Sequence, residues 1–389
     1  MKKKSNLSYR ILGLLTLWLA GSFPGFSQNE SEIDSMVWEG SYFSFTDSID
    51  PEPVPLRIAL VLSDIKANKD LEFARGMFMA LDNFKTSDRK IALKLINGGV
   101  AAVDSVTLQL DEFEPNIIIG TFEKNFPAYL FNYSGDKNVK TINAFDMRNE
   151  FFKTNPNIIQ LLTPSNFFND KTADFFGNYF TDFEFVTIGE RDASDNMFGT
   201  IESRFPANSV NLEAVEQIGL FTPEKDKQYL FYCFPTKKED VKQIIEAIGA
   251  LKKQNPNLIM ATVGRPSWIT FTDLAKSFDS ANVYIPSRFY FDPVSEESKN
   301  FIKAYNDTYN HPPVKSFPVY SVMGYDLTNY LVEGVNASGN NFDIEWPRVA
   351  SLQADYSFKH VPEIAGYYNP LVYVVRFNST GGADKILIE

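Results

Sequence analysis

The sequence has almost no cysteine and almost no histidine. Cys233 is the lone cysteine, so no disulfide can form within the chain, and no Cys-x-x-Cys spacing exists to hold zinc, haem or a redox centre. The two histidines, His311 and His360, stand 49 positions apart, and each reads as a surface residue rather than part of a triad or metal site. There is no G-x-S-x-G, G-x-x-x-x-G-K-[ST], G-x-G-x-x-G or H-E-x-x-H, which leaves hydrolase, NTPase, dehydrogenase and zincin chemistry without support. Acidic neighbours such as Asp111 with Glu112 and Glu296 with Glu297 read as solvated helix faces. The expectation is no catalytic residue, no metal and no cofactor.

Basic residues are outnumbered, 37 against 49 acidic ones, for a formal charge of -12. A surface of that sign repels phosphate backbones and anionic headgroups, so nucleic acid is not an expected partner. Long apolar runs are missing too. The run from Ile11 to Ala20 is ten residues, half of the roughly 20 that span a bilayer. It follows Lys2, Lys3, Lys4 and Arg10 and precedes Gly21, Ser22, Pro24, Gly25 and Ser27, the order of basic, apolar and small residues in a secretory signal. Residues 1-28 are therefore expected to be a signal peptide cleaved near Gln28. No cysteine follows the run to carry a lipid, and no later segment could cross a membrane. A soluble, unlipidated periplasmic protein follows, its mature form holding 33 basic and 49 acidic groups, or -16. A single thiol, unable to mispair within its own chain, suits an oxidising compartment.

Phenylalanine is abundant, 35 of 389 residues, and such rings fill cores or line apolar grooves. The length suggests two domains at about 150 residues each. Residues 29-55, acidic and broken by Pro51, Pro53 and Pro55, read as an exposed linker. From Leu56 strands and helices alternate. Apolar runs at 57-62, 91-96, 116-120 and 139-143 have helical spacings between them, and a second series runs through 184-189, 229-234, 258-264 and 282-286. Such alternation specifies parallel sheets covered by helices on both faces. The clearest helix has Val241, Ile244, Ile245, Ile248 and Leu251 as one stripe, with Thr236 and Glu239 as an expected capping box. Asp292 and Pro293 are expected to open a further helix through Tyr309, and LQADYSF and LVYVVRF near the end read as strands.

From about Leu56 to Phe377 the sequence resembles the type I periplasmic binding proteins, the receptor-family ligand-binding region typified by leucine, isoleucine and valine binding proteins. The block FIKAYNDTYNHPPVKSFPVYSVMGYDLTNYLVEGV (Phe301 to Val335) is similar to that family's helix, Tyr, Pro-Pro, then Gly-Tyr-Asp helix. NPNIIQLLTPS (Asn155 to Ser165) resembles its first crossover between lobes. VGRPSWITFTDL (Val263 to Leu274) looks more like the branch often fused to LysM modules, although residues 29-55 cannot contain one. The resemblance implies an α/β fold of two doubly wound parallel-sheet lobes joined by crossover hinge strands. Lobe 1 is expected at 56-163 plus 287-339 and lobe 2 at 164-286 plus 340-389. It also implies an exported solute-binding or sensory protein, not an enzyme, that captures a small polar ligand, amino-acid-like or another carboxylate, between the lobes. The alternative is a ligand-free envelope scaffold or partner-binding protein associated with the cell wall. The partners these readings admit are a small-molecule ligand, an ABC transporter permease, an envelope sensor or a peptidoglycan-associated protein.

Ligands of open parallel sheets sit beyond the carboxyl ends of the strands. That rule nominates Ser63, Thr121, Phe122, Asn143 and Phe145 in the first lobe and Glu190, Arg191, Phe234, Arg265 and Trp268 in the second. The resemblance places a carboxylate-binding hydroxyl at Thr121. It places an acidic group for an ammonium where this sequence has Gly264, Arg265 and Pro266, and a cationic loop favours an anion instead. Phe145 stands where a small, hydroxyl-rich loop is implied, and it could fill the pocket. Trp268 could stack on a ligand or close the core.

Overall fold

Seven residues, Leu56-Leu62, form a strand (β2) in which every side chain but Arg57 is buried, as a continuous apolar run in a sheet covered on both faces requires. The computed structural model describes residues 37-40, 56-83, 91-99, 103-148, 150-192, 195-206, 210-338, 348-349, 351-380 and 382-388. The expected signal segment, 1-28, lies outside the described residues. Four residues of the expected linker, Val37-Gly40, are instead a strand, β1.

The first sheet continues through α1 (Asn68-Asn83), β3 (Ile91-Asn97), α2 (Val103-Phe113), β4 (Ile117-Gly120), α3 (Ala128-Lys137), β5 (Lys140-Asn143) and β6 (Ile158-Gln160). The chain then builds a second sheet with α4 (Ser165-Tyr179), β7 (Phe183-Ile188), α5 (Asn196-Glu202), β8 (Val210-Leu212), α6 (Val215-Leu220), β9 (Gln228-Cys233), α7 (Lys238-Gln254), β10 (Ile259-Val263), α8 (Ala275-Ser280) and β11 (Val283-Ser287). It returns to the first sheet with α9 (Glu296-Tyr309), α10 (Tyr320-Ser338) and β12 (Tyr367-Tyr368), then ends on the second with β13 (Val372-Phe377) and β14 (Ala383-Ile388). The strand orders are β1-β3-β2-β4-β5-β6-β12 and β14-β13-β11-β10-β9-β7-β8. Both sheets share one plan, with the second parallel strand placed outside the first, so each has a switch point beside its opening strand. Among the described strands, antiparallel pairing is confined to β1 with β3, β13 with β11 and β14 with β13.

Three local expectations change. The stripe of α7 is buried as read, but its N-cap is Lys237 with no side-chain cap, so no capping box forms. Helix α9 opens not at Asp292 but at Ser295, whose hydroxyl accepts from the Ser298 amide at 3.1 Å. LQADYSF is irregular, its Tyr356 forming an isolated antiparallel bridge with Val349. Its Ala354, Tyr356 and Phe358 pack in the first lobe's core, and β12 pairs with β6. The tail expected to join lobe 2 from residue 340 therefore divides, and residues 351-369 belong with the first sheet.

Helices α1 and α10 cross with their backbones in contact. A Cβ on Gly76 would lie 1.8 Å from the Ser321 carbonyl oxygen, and one on Gly324 2.1 Å from that of Phe73. Phe73, Met77, Met323 and Leu327 close the crossing as fully buried residues. Gly76→Ala should therefore destabilise the chain by about 3 kcal/mol or more, through enforced separation of two helices. Gly219→Ala, in α6 with nothing within 4 Å of its Cβ, should be neutral or stabilising by up to about 1 kcal/mol. Urea denaturation of the two variants checks the contrast, and equal effects would contradict it.

Candidate binding cleft

The chain passes between the two sheets at Leu161-Ser165, at Arg288-Phe289 and at Asn369-Leu371, and these three segments are tied to one another. The Thr163 hydroxyl donates to the Leu371 carbonyl at 2.7 Å, and Arg288 Nε donates to the Thr163 carbonyl at 2.6 Å. The Asn369 amide donates to the Gln160 carbonyl at 3.0 Å. Beside this knot lies a cavity of about 380 Å³, in the range of small-molecule sites. The loops after β4 and β5 supply Glu123, Lys124 and Phe145 to Arg148, the first crossover supplies Leu162, the turn before α10 supplies Phe317 and Pro318, and α10 opens with Tyr320. The opposite wall is Phe168 of α4, Pro266 after β10, and Ser287 to Phe289 at the end of β11.

Arg288 is the chemical centre of this cavity. Its guanidinium lies over the Phe168 ring at 4.0 Å, and Nη2 donates to the Ser165 hydroxyl at 3.4 Å. No carboxylate pairs with it among the described residues. Burial pulls its acidity constant down from the usual arginine value to about 10, so it still carries its charge at neutral pH. A desolvated cation with only dipoles and a ring around it is an incomplete site, since withdrawing a charge from water is costly until a counter-charge arrives. Nearer solvent, Lys124 and Arg148 line the same cavity, are exposed and form no ion pair among the described residues. The two acidic side chains at the cavity are already engaged. Glu123 pairs with Lys69 at 2.8 Å and accepts from the Tyr320 hydroxyl at 3.0 Å. Asp146 accepts from the Arg148 amide at 3.0 Å and faces that of Phe126 at 3.5 Å. The cavity is cationic inside a chain of net charge -12.

Of the ten nominated residues, Phe145 alone lines this cavity. It does not plug it, because its ring is held edge-on by Phe73 at 5.3 Å and packs on Tyr320 at 5.0 Å. The others are used internally. Thr121 Oγ1 accepts from the Ser63 amide at 3.1 Å, and the Ser63 hydroxyl donates to Asp70 at 2.7 Å. Asn143 donates to Gln160 and to the Asp146 carbonyl, at 2.8 and 2.9 Å. Phe122 and Phe234 are core residues. Glu190 is exposed, and Arg191 pairs with Glu202 over the Phe198 ring. Trp268 is fully buried, stacked on Phe278 at 5.8 Å, with its indole donating to the Pro235 carbonyl at 2.8 Å.

Arg265 requires the largest correction. Expected to await an anion, it ion-pairs with Asp195 and donates to the Tyr232 hydroxyl at 3.2 Å. Tyr232 in turn donates to Asp195 at 2.7 Å, and Asp195 caps α5 at the Phe198 amide, 3.2 Å away. This is a closed structural network of the second lobe. Arg288 went unnominated in the sequence because it lies two positions beyond the stretch read as a strand, which ends at Pro286.

No protein-family model matches the chain, and no curated protein does. Solved structures share its fold. A putative branched-chain amino acid ABC transporter protein from Rhodospirillum rubrum aligns at 15% identity over 86% of this chain and 100% of that one, with a TM-score of 0.58. An ABC transporter substrate-binding protein from Desulfitobacterium hafniense, in complex with Leu, aligns at 11% identity over 86% and 100%, with a TM-score of 0.50. The C-domain of LpoA from Haemophilus influenzae, a regulator of PBP1A, aligns at 12% identity over 85% and 99%, with a TM-score of 0.52. The α/β, type I periplasmic binding protein-like fold is thus the fold of this chain. No helix among the described residues is long and apolar enough to cross a membrane.

Arg265→Ala should leave Asp195 buried without its cation, and removal of one partner of such a pair costs about 3 kcal/mol. Equilibrium denaturation should show that loss while binding of any ligand of the cleft stays within about twofold. A stable variant with abolished binding would return Arg265 to the site.

Proposed function

We propose that the protein is an exported solute-binding or sensory protein that captures a small carboxylate in the cavity between its two sheets. The observation that carries this reading is Arg288, a desolvated guanidinium facing a cavity with no carboxylate paired to it among the described residues. A ligand carboxylate completes it by a bidentate, charge-assisted pair. The fold supports the reading, because two lobes joined by three crossovers form a hinge that closes on a ligand touching both walls. Of the fold's solved examples, one is described as a substrate-binding protein in complex with Leu and another as a putative branched-chain amino acid ABC transporter. The basic and apolar order of residues 1-28 supports export, and the partner would then be a permease or an envelope sensor. The scaffold alternative rested on Phe145 and Arg265 standing where small and acidic groups are implied, and of these Phe145 forms part of the cavity wall while Arg265 pairs with Asp195.

Thermal shift and calorimetric titration against small carboxylates test the proposal. At least one should raise the melting temperature, and Arg288→Lys, which loses the planar fork but keeps the charge, should weaken it about tenfold, or ~1.4 kcal/mol. The pH dependence has a fixed sign. Arg288 titrates near 10 and a simple carboxylic acid near ~4, so affinity should be flat between about pH 6 and 8.5 and fall as the acid protonates below about 4.5. Absence of stabilisation by every carboxylate at about 10 mM would overturn the reading.

A further inference from the structure

We infer that the ligand is an apolar or aromatic monocarboxylate that carries no ammonium group. The inference rests on the cleft reading above and narrows it.

An α-amino acid brings an ammonium beside its carboxylate, and in a desolvated site that ammonium needs an acceptor. The acidic side chains at this cavity and several carbonyls at or beside it are already engaged. The Glu123 carboxylate is neutralised by Lys69, and that of Asp146 is turned to backbone amides. The Asp146 carbonyl accepts from both Asn143 and Gln160 at 2.9 Å. The Thr163 carbonyl accepts from Arg288, and the Phe289 carbonyl from the Ser287 hydroxyl at 2.6 Å. Charge points the same way, because the cavity holds three cationic side chains, Lys124, Arg148 and Arg288, against the two carboxylates of Glu123 and Asp146, and an ammonium placed close to the Arg288 anchor meets a like charge where water is largely excluded.

The rest of the wall describes the ligand's other end. Phe145, Leu162, Phe168, Phe289, Phe317 and Tyr320 face the cavity. The rings hold one another in place, with Phe289 and Phe317 at 4.7 Å and Phe145 and Tyr320 at 5.0 Å. This surface removes apolar area from water but offers few partners for hydroxyls, so a polyhydroxylated sugar acid would leave polar groups unpaired in it. A carboxylate at one end and a branched or aromatic body at the other match Arg288 and the ring wall together.

The test compares acids with their own amino derivatives by calorimetric titration of the full mature chain. 3-Phenylpropanoate is set against phenylalanine, 4-methylpentanoate against leucine, and galacturonate stands for the hydroxylated acids. The deaminated acids should bind at least about tenfold more tightly than their amino acids, and Arg288→Lys should weaken them while leaving the melting temperature of the free protein within a few degrees. Amino acids binding as tightly as, or more tightly than, the acids would overturn the inference and leave the cleft reading standing, and so would binding of galacturonate alone. Silence of every carboxylate would overturn both.

Discussion

A cation largely withdrawn from water, with no carboxylate paired to it among the described residues, is the constraint that organises this cleft. Arg288 sits where β11 ends and the second crossover begins, one face on Phe168 and its Nε on the Thr163 carbonyl of the first crossover. Thr163 passes the connection to Leu371 in the third. One side chain thus touches the cavity and two of the three segments that pass between the sheets. A ring and two hydrogen bonds recover only part of the hydration that a guanidinium loses. What remains is available to a ligand carboxylate, whose binding would stabilise the same knot that holds the lobes together.

The architecture delivers this arrangement by repetition. Each sheet uses the same strand order, so the loops after β4 and β5 on one side and after β10 and β11 on the other reach one cleft. The positions nearest the two switch points are occupied by hydrogen-bonded networks: Ser63, Asp70 and Thr121 in the first lobe, Asp195, Tyr232 and Arg265 in the second. These networks fix the loops from behind, and the cavity forms beside them, against the crossovers.

Much of the fold was legible because buried parallel strands leave an unmistakable apolar trace, as IALVL and IIIG do, and because the stripe of α7 has one period. The strands that were missed lack that trace. Ala383-Ile388 alternates and lies at an edge, β12 is two residues long, and β8 is three with two exposed. The division of the tail was hidden for another reason: Tyr356 and Phe358 look like strand residues but are buried as irregular chain, held by three backbone amides, of Leu352, Gln353 and Ala354, donating to Asp326. For the site, the expectation of an anionic ligand rested on Arg265, which the fold pairs with Asp195. Arg265 and Arg288 both follow an apolar strand and a proline or glycine, and nothing local separates them. What separates them is Asp195, 70 positions before Arg265, which long-range folding brings into contact with one and not the other. Hydroxyls and amides such as Thr121 and Asn143 were nominated for their donors, and the fold uses those donors on its own backbone.

The most direct measurement of the central claim is a crystal structure of the chain with 4-methylpentanoate. The account predicts the acid in the cavity, its carboxylate oxygens about 2.8 Å from the Nη atoms of Arg288, its branched end against Phe145 and Phe317, and Nε still on the Thr163 carbonyl. An acid bound elsewhere, with Arg288 turned to a carboxylate of the chain itself, would contradict it.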